Sequence, residues 1–128
     1  MQPVAKTEAQ KTKKVLIVED EGDICLLLNI MLQDKDMELD HVKNLASAIT
    51  YFKKEQPAVV ILDNKLPDGW GVDFASYVKA NYPNTKIVMI TGFSDAAKDV
   101  AIQNGVDSFL QKPFTREQIY ESVHSLAN

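Results

Sequence analysis

Five short apolar runs, separated by segments of helical period, are the feature that most restricts how this chain can fold. Three runs are strong: Lys14–Val18, Ala58–Leu62 and Lys86–Thr91. Two weaker runs, Met37–Val42 and Val106–Leu110, complete the set. Because the strong runs show no alternation of polar and apolar residues, we expect these strands to be covered on both faces.

The segments between the runs carry apolar residues at the spacing of an α-helix. In the first segment, Ile24, Leu28 and Met31 follow this spacing. Five strand–helix units joined by right-handed crossovers predict an α/β fold with a doubly wound parallel sheet. In such sheets, ligands bind outside the carboxyl ends of the strands.

Local signals place several helix ends. Asn44 is suited to cap the second helix, and Gly105 is suited to the left-handed position after the fourth helix. Thr115 and Gln118 have the spacing of a capping box at the start of the last helix.

Length, charge and cysteine content indicate one soluble domain. The chain has 128 residues, a formal net charge of −4 and one cysteine, Cys25, which we expect in the core. Residues 1–13 are polar and without apolar period, so we predict a disordered tail followed by one domain at 14–128. Because no long apolar run is present, we expect a cytoplasmic protein that does not bind a membrane. Because the body of the chain is acidic, we expect no direct nucleic-acid binding. We expect the protein to be a monomer or a weak dimer.

Polar residues follow the strands at the predicted carboxyl edge. Glu19 and Asp20 come after the first strand and Asp63 after the third, Thr91 ends the fourth, and Lys112 follows the fifth. Clustered carboxylates repel one another, and a divalent cation relieves that repulsion; Mg²⁺ prefers such oxygen ligands. A carboxylate is also a nucleophile that can form an aspartyl-phosphate, whose charge Mg²⁺ and a lysine can neutralise.

Four motifs in this order and spacing resemble the receiver domains of two-component response regulators. They are VLIVEDE at Val15–Glu21, DNKLPDGWG at Asp63–Gly71, ITG at Ile90–Gly92 and FLQKPF at Phe109–Phe114. The resemblance covers nearly everything after the tail. It implies a flavodoxin-like fold of five strands in the order 2-1-3-4-5.

The resemblance also implies a metal site and a phosphoacceptor. Asp63 matches the phosphoacceptor, and Asp20 matches the residue that binds Mg²⁺ directly. Glu19 matches an acid that acts through water, and the backbone carbonyl of Lys65 would complete the Mg²⁺ ligands together with Asp63.

Further roles carried over from the family concern the response to phosphorylation. Thr91 and Lys112 match the pair that grips the phosphoryl group, and Phe109 matches the aromatic switch residue that follows Thr91. Pro113 matches a proline preceded by a cis bond. The implied donor is a phosphohistidine on a histidine kinase or phosphotransfer protein. The implied recipient is a target protein or a missing output domain, which reads the face of the fourth helix, fifth strand and fifth helix.

Three other functions use similar folds or residues. A phosphatase with an aspartate nucleophile would need a second aspartate where Lys65 stands, and a flavodoxin would place a phosphate loop where Glu19 and Asp20 stand. A receiver that binds partners without phosphorylation would not need the full set of acids, Thr91 and Lys112. We therefore expect a module that assists only its own phosphorylation and dephosphorylation, rather than an enzyme acting on other substrates.

Overall fold

The structure, a computed structural model, describes residues 12–92 and 95–127. Most of the predicted disordered tail, residues 1–13, therefore lies outside the described residues. The exception that matters is Lys13, which is the first residue of the first strand and pairs with Met37. The first strand thus includes one residue that the sequence assigned to the tail.

Five strands and five helices alternate along the described chain. The strands are β1 (Lys13–Val18), β2 (Met37–Val42), β3 (Val59–Asp63), β4 (Lys86–Thr91) and β5 (Ser108–Gln111). The helices are α1 (Gly22–Leu32), α2 (Leu45–Lys54), α3 (Gly71–Asn81), α4 (Asp95–Gln103) and α5 (Arg116–Ala127). A short hairpin of Lys65–Leu66 and Gly69–Trp70 joins β3 to α3.

The five strands form one parallel sheet in the order β2-β1-β3-β4-β5. The order reverses between β1 and β3, so the carboxyl ends of these strands flank the switch point. The predicted fold class and strand order, 2-1-3-4-5, are confirmed.

Each strong strand buries both faces, as its unbroken apolar run predicts. In β1, Leu16 and Val18 belong to a core shared with α2 and α3, whereas Val15 and Ile17 belong to a core shared with α1 and α5. All four side chains are fully buried. The sheet is therefore a middle layer between two helical layers.

The local helix signals have the predicted geometry. The Asn44 side chain accepts a hydrogen bond from the Ser47 amide at 2.8 Å, which caps α2. Thr115 and Gln118 exchange two side-chain-to-backbone bonds of 2.8 and 3.1 Å, which form the capping box of α5. Gly105 has φ of +95°, in the left-handed region that glycine adopts most readily.

The fifth strand begins two residues later than predicted, because the residues before it bond elsewhere. The Val106 amide bonds to the Ala101 carbonyl, and the Asp107 carboxylate accepts bonds from the Ile87 amide and Lys79. The third strand is also displaced by one residue and runs to Asp63 itself. No helix within residues 12–92 and 95–127 is long and apolar enough to cross a membrane.

Candidate functional site

The parallel sheet brings the polar strand-end residues to one cavity. Asp63 is paired in register with Ile90, and Thr91 with Gln111, so the carboxyl ends of β3, β4 and β5 lie side by side. The cavity has a volume of about 460 Å³, and its wall includes nine residues: Asp20, Glu21, Asp63, Lys65, Leu66, Pro67, Thr91, Gly92 and Lys112. Residues at the ends of four strands, β1, β3, β4 and β5, thus meet at one site.

Three carboxylates form the acidic part of the site. One carboxylate oxygen from each of Glu19, Asp20 and Asp63 lies within 4.8 Å of the others. Glu19 and Asp63 are buried, whereas Asp20 is exposed toward the opening. The structure therefore brings together the three acids that the sequence analysis assigned to metal binding.

Glu19 lies in this group at a position where ionising its carboxyl costs free energy. Burial, followed by the proximity of Asp63, raises the pKa of Glu19 to about 7. Its carboxylate accepts a bond from the Glu21 amide at 3.3 Å, and its own carbonyl lies 2.9 Å from His41 Nε2. The Cys25 thiol lies 3.4 Å from the same carbonyl, and burial raises the pKa of Cys25 to about 11. Cys25 is thus a buried thiol that packs behind Glu19, as predicted for a core residue.

Lys112 is the cation that faces these acids. Its Nζ atom lies 3.3 Å from Glu19 Oε1, 3.6 Å from Asp63 Oδ2 and 3.8 Å from Glu21 Oε1. Burial alone opposes the charge of Lys112, but the carboxylates of Asp63 and Glu19 outweigh it and raise the pKa of this lysine. Lys112 is therefore a firmly charged group beside the candidate acceptor.

The donor set fits a divalent cation. Glu19, Asp20 and Asp63 offer carboxylate oxygens within reach of one another, and Lys112 supplies only one compensating positive charge near them. Burial first, and then the neighbouring Asp63, raise the pKa of Glu19, and a cation bound beside it would oppose both effects. Mg²⁺ suits this site because it is bound through one or two carboxylates and keeps several waters.

The remaining predicted residues lie around this acidic centre. Thr91 is buried at the end of β4, and its carbonyl accepts a bond from the Lys112 amide at 2.7 Å. Phe109 is partly buried against the core on the side of α2 and α3, and it pairs in register with Met89, two residues before Thr91. The Lys112–Pro113 peptide bond is cis.

The loop after Asp63 is tightly folded at its base. The Gly71 amide donates to the Asn64 carbonyl at 2.7 Å, and the Val72 amide donates to the Asn64 side chain at 3.1 Å. A Cβ atom on Gly71 would collide with the Asp63 carbonyl oxygen and lie 2.9 Å from Asn64 Cα. Glycine at position 71 therefore lets α3 begin directly against the backbone of Asp63.

Two residues near the site were assigned no role from the sequence. Glu21 reaches Lys112, and its position in the acidic run Glu19–Glu21 was the available signal. Asp68 was interpreted as a turn residue only. Its carboxylate instead bonds to the start of α2, a contact that no local sequence pattern indicates.

Comparison with known proteins identifies relatives over most of the chain. The family model described as response regulator receiver domain matches residues 15–124. The response regulator protein PilR of Pseudomonas aeruginosa is 32% identical over 112 residues, which are 87% of this chain and 25% of PilR. The DNA-binding response regulator MtrA of Mycolicibacterium paratuberculosis is 25% identical over 114 residues, which are 88% of this chain and 50% of MtrA. The chain thus spans a quarter to a half of the length of these relatives.

Solved structures show the same fold. The signal receiver domain of a Vibrio parahaemolyticus protein described as a Luxo repressor superposes with a TM-score of 0.82 at 31% identity, covering 90% of this chain and 89% of that one. A two-component response regulator from Clostridium difficile superposes with a TM-score of 0.83 at 26% identity, covering 89% and 94% of the two chains.

Proposed function

Because this chain belongs to the response regulator receiver domain family, we propose that Asp63 accepts a phosphoryl group from the phosphohistidine of a histidine kinase or phosphotransfer protein. The observation that carries the proposal is the meeting of Asp63 with Glu19, Asp20 and Lys112 at the carboxyl edge of the sheet. The cavity beside these residues leaves Asp63 accessible to a donor.

In the proposed transfer, a carboxylate oxygen of Asp63 forms a bond to phosphorus while the bond from phosphorus to the histidine nitrogen breaks. The electron pair of that bond stays with the imidazole. Lys112, which already lies 3.6 Å from Asp63, attracts the oxygens of the transferred group. The Thr91 hydroxyl is the expected donor to a further oxygen. Asp20, Asp63 and the Lys65 carbonyl, with Glu19 acting through water, would hold Mg²⁺, which would supply positive charge near the phosphoryl oxygens.

Phosphorylation changes the charge balance around Lys112. The new dianion competes with Glu19 for the Lys112 ammonium and draws the Thr91 hydroxyl toward it. We propose that Phe109 follows Thr91 and that the face of α4, β5 and α5 then binds a target protein or an output domain. The domain itself acts on no other substrate in this scheme.

Incubation with Mg²⁺ and acetyl phosphate, followed by intact-protein mass spectrometry, tests the proposal. We expect the wild type to gain one phosphoryl group and Asp63→Asn to gain none, because the amide is not a nucleophile of this kind. Asp36→Asn is a matched control, since Asp36 is an exposed acid in the turn before β2. An unlabelled wild type would favour a receiver that works without phosphorylation, and steady release of phosphate from simple esters would favour a phosphatase.

A further inference from the structure

Asp68, at the tip of the loop between β3 and α3, is joined to a helix that begins 23 residues earlier. Its Oδ1 atom accepts a hydrogen bond from the Leu45 amide at 2.9 Å, and its Oδ2 atom accepts one from the Ala46 amide at 3.0 Å. Both carboxylate oxygens are therefore used on the N-terminus of α2.

The start of α2 depends on this carboxylate. The first four amides of a helix have no partner within the helix. In α2, the Asn44 side chain serves the Ser47 amide, whereas the Ala48 amide makes the first regular bond of the helix, to the Asn44 carbonyl. Asp68 serves the amides of Leu45 and Ala46, the first two residues of the helix. The α2 cap is thus shared between a local residue and a residue of the loop that follows Asp63.

The contact persists over the neutral pH range. The bond from the Leu45 amide, opposed in part by burial and supported by the Ala46 amide, holds the pKa of Asp68 below its usual value. The positive end of the α2 dipole favours the same ionised state. Gly69 extends the contact, because a Cβ atom there would lie 2.9 Å from Leu45 Cδ1. The loop tip therefore rests directly on the first residue of α2.

The loop has one anchor at each end. Its base is held at Asn64, which bonds to the start of α3 and to the Ile90 carbonyl of β4. Its tip is held at Asp68. Lys65 lies between these anchors, in the short hairpin where it pairs with Trp70. The position of the Lys65 carbonyl thus depends on both anchors.

From this geometry we propose that Asp68 is a positioning residue for the Mg²⁺ site: by capping α2 it holds in place the loop that presents the Lys65 carbonyl. The inference rests on the proposed function, which assigns that carbonyl to the metal. Residues that orient metal ligands without touching the metal commonly change metal affinity about 10–100-fold when they are removed.

Mg²⁺ titration followed by Trp70 fluorescence tests the inference without any phosphorylation. Trp70 is the single tryptophan of the chain and pairs with Lys65, so its emission reports on the loop. We expect Asp68→Ala to raise the Kd for Mg²⁺ about tenfold. In the Mg²⁺-free protein, we expect the same change to increase quenching of Trp70 by acrylamide, because the loop tip is released.

Asn44→Ala is the matched control for helix stability. It removes the side-chain cap of the same helix but no contact of the loop. We expect both variants to lower the urea midpoint, whereas only Asp68→Ala changes Mg²⁺ affinity and Trp70 quenching. Asp68→Asn controls for charge: it loses the same negative charge as Asp68→Ala but keeps one acceptor oxygen. We expect its Mg²⁺ affinity to lie between those of the wild type and Asp68→Ala.

Three outcomes would overturn this inference and leave the proposed function standing. They are an unchanged Kd for Mg²⁺ in Asp68→Ala, an equal loss of Mg²⁺ affinity in Asn44→Ala, or equal effects of Asp68→Asn and Asp68→Ala on Mg²⁺ affinity. Each of these requires a wild type that binds Mg²⁺. A wild type that does not bind Mg²⁺ would overturn both the proposed metal site and this inference.

Discussion

At the scale of single residues, burial of the Glu19 carboxyl lowers the stability of the fold but supplies an acid to the candidate site. Its side chain is fully buried and lies beside Asp63, and it shares the Lys112 ammonium with two other acids. These surroundings raise its pKa to about 7. An apolar residue of similar size would be buried at lower cost, so packing does not explain this acid, whereas the proposed metal site does.

The raised pKa of Glu19 predicts that the Mg²⁺-free protein loses stability as pH rises from about 4.5 to about 7. In that range the folded state holds a proton on Glu19 that the unfolded state has released, so deprotonation favours unfolding. We expect Glu19→Gln to remove this dependence and to raise the free energy of unfolding at pH 8 by on the order of 1–3 kcal/mol.

Urea denaturation in the presence of a chelator, measured from pH 5 to pH 8, checks this prediction. Glu121→Gln, at an exposed position of α5, is the control and should follow the wild type. Equal pH dependence in Glu19→Gln and the wild type would contradict the assignment of a strained carboxyl to Glu19.

At the scale of the elements, the loop from Asn64 to Trp70 connects Asp63, the last residue of β3, to the helices around it. Asn64 fixes the loop to β4 and α3, and Asp68 fixes it to α2. Because Gly71 has no Cβ atom, α3 can begin directly against the Asp63 backbone. A change in this loop should therefore affect both the folding of α3 and the geometry of the site.

Gly71→Ala tests that coupling. The added Cβ would collide with the Asp63 carbonyl, so we expect a loss of about 1–3 kcal/mol in the free energy of unfolding and slower labelling of Asp63. Gly22→Ala is the matched control. A Cβ on Gly22, the first residue of α1, meets no atom within 4 Å, so this change should be neutral or stabilising by up to about 1 kcal/mol. Urea denaturation and the acetyl phosphate assay measure both effects. Full stability of Gly71→Ala would show that α3 can shift away from Asp63 at little cost.

At the scale of the whole molecule, the two apolar cores fix the positions of the carboxylates at the carboxyl edge of the sheet. Strands β1, β3 and β4 are buried on both sides, so their ends are held rigidly. The acids at the ends of β1 and β3 therefore have little freedom to move apart, so we expect a bound cation to relieve their repulsion.

We accordingly expect Mg²⁺ to stabilise the whole domain. A ligand present at 100 times its Kd adds about 2.7 kcal/mol to the free energy of unfolding, which should raise Tm by several degrees. Thermal denaturation monitored by circular dichroism, with and without Mg²⁺, measures the shift. Asp20→Asn should abolish most of it, because Asp20 is the exposed acid of the cluster. An equal shift in this variant would place the bound Mg²⁺ elsewhere.

Much of this protein could be predicted because its signals are local in the sequence. Unbroken apolar runs require two covered faces, and the caps at Asn44 and Thr115 involve residues three positions apart. The strand-end acids follow from the same logic, because parallel strands bring their carboxyl ends to one edge. For that reason the fold and the residues of the candidate site could be predicted from the sequence.

Contacts between distant residues were decided by the tertiary structure alone. The sequence predicted Lys112 and Glu19, 93 positions apart, at one edge of the sheet but not their direct contact. The capping of α2 by Asp68 joins a loop to the start of a helix that no pattern links to it. The start of β5 was likewise displaced by the bonds of Asp107 to β4 and α3. A sequence determines which elements form because periodicity and capping act over a few residues. Which side chains meet between those elements depends on the path of the backbone, and that path is set by how all the elements pack together.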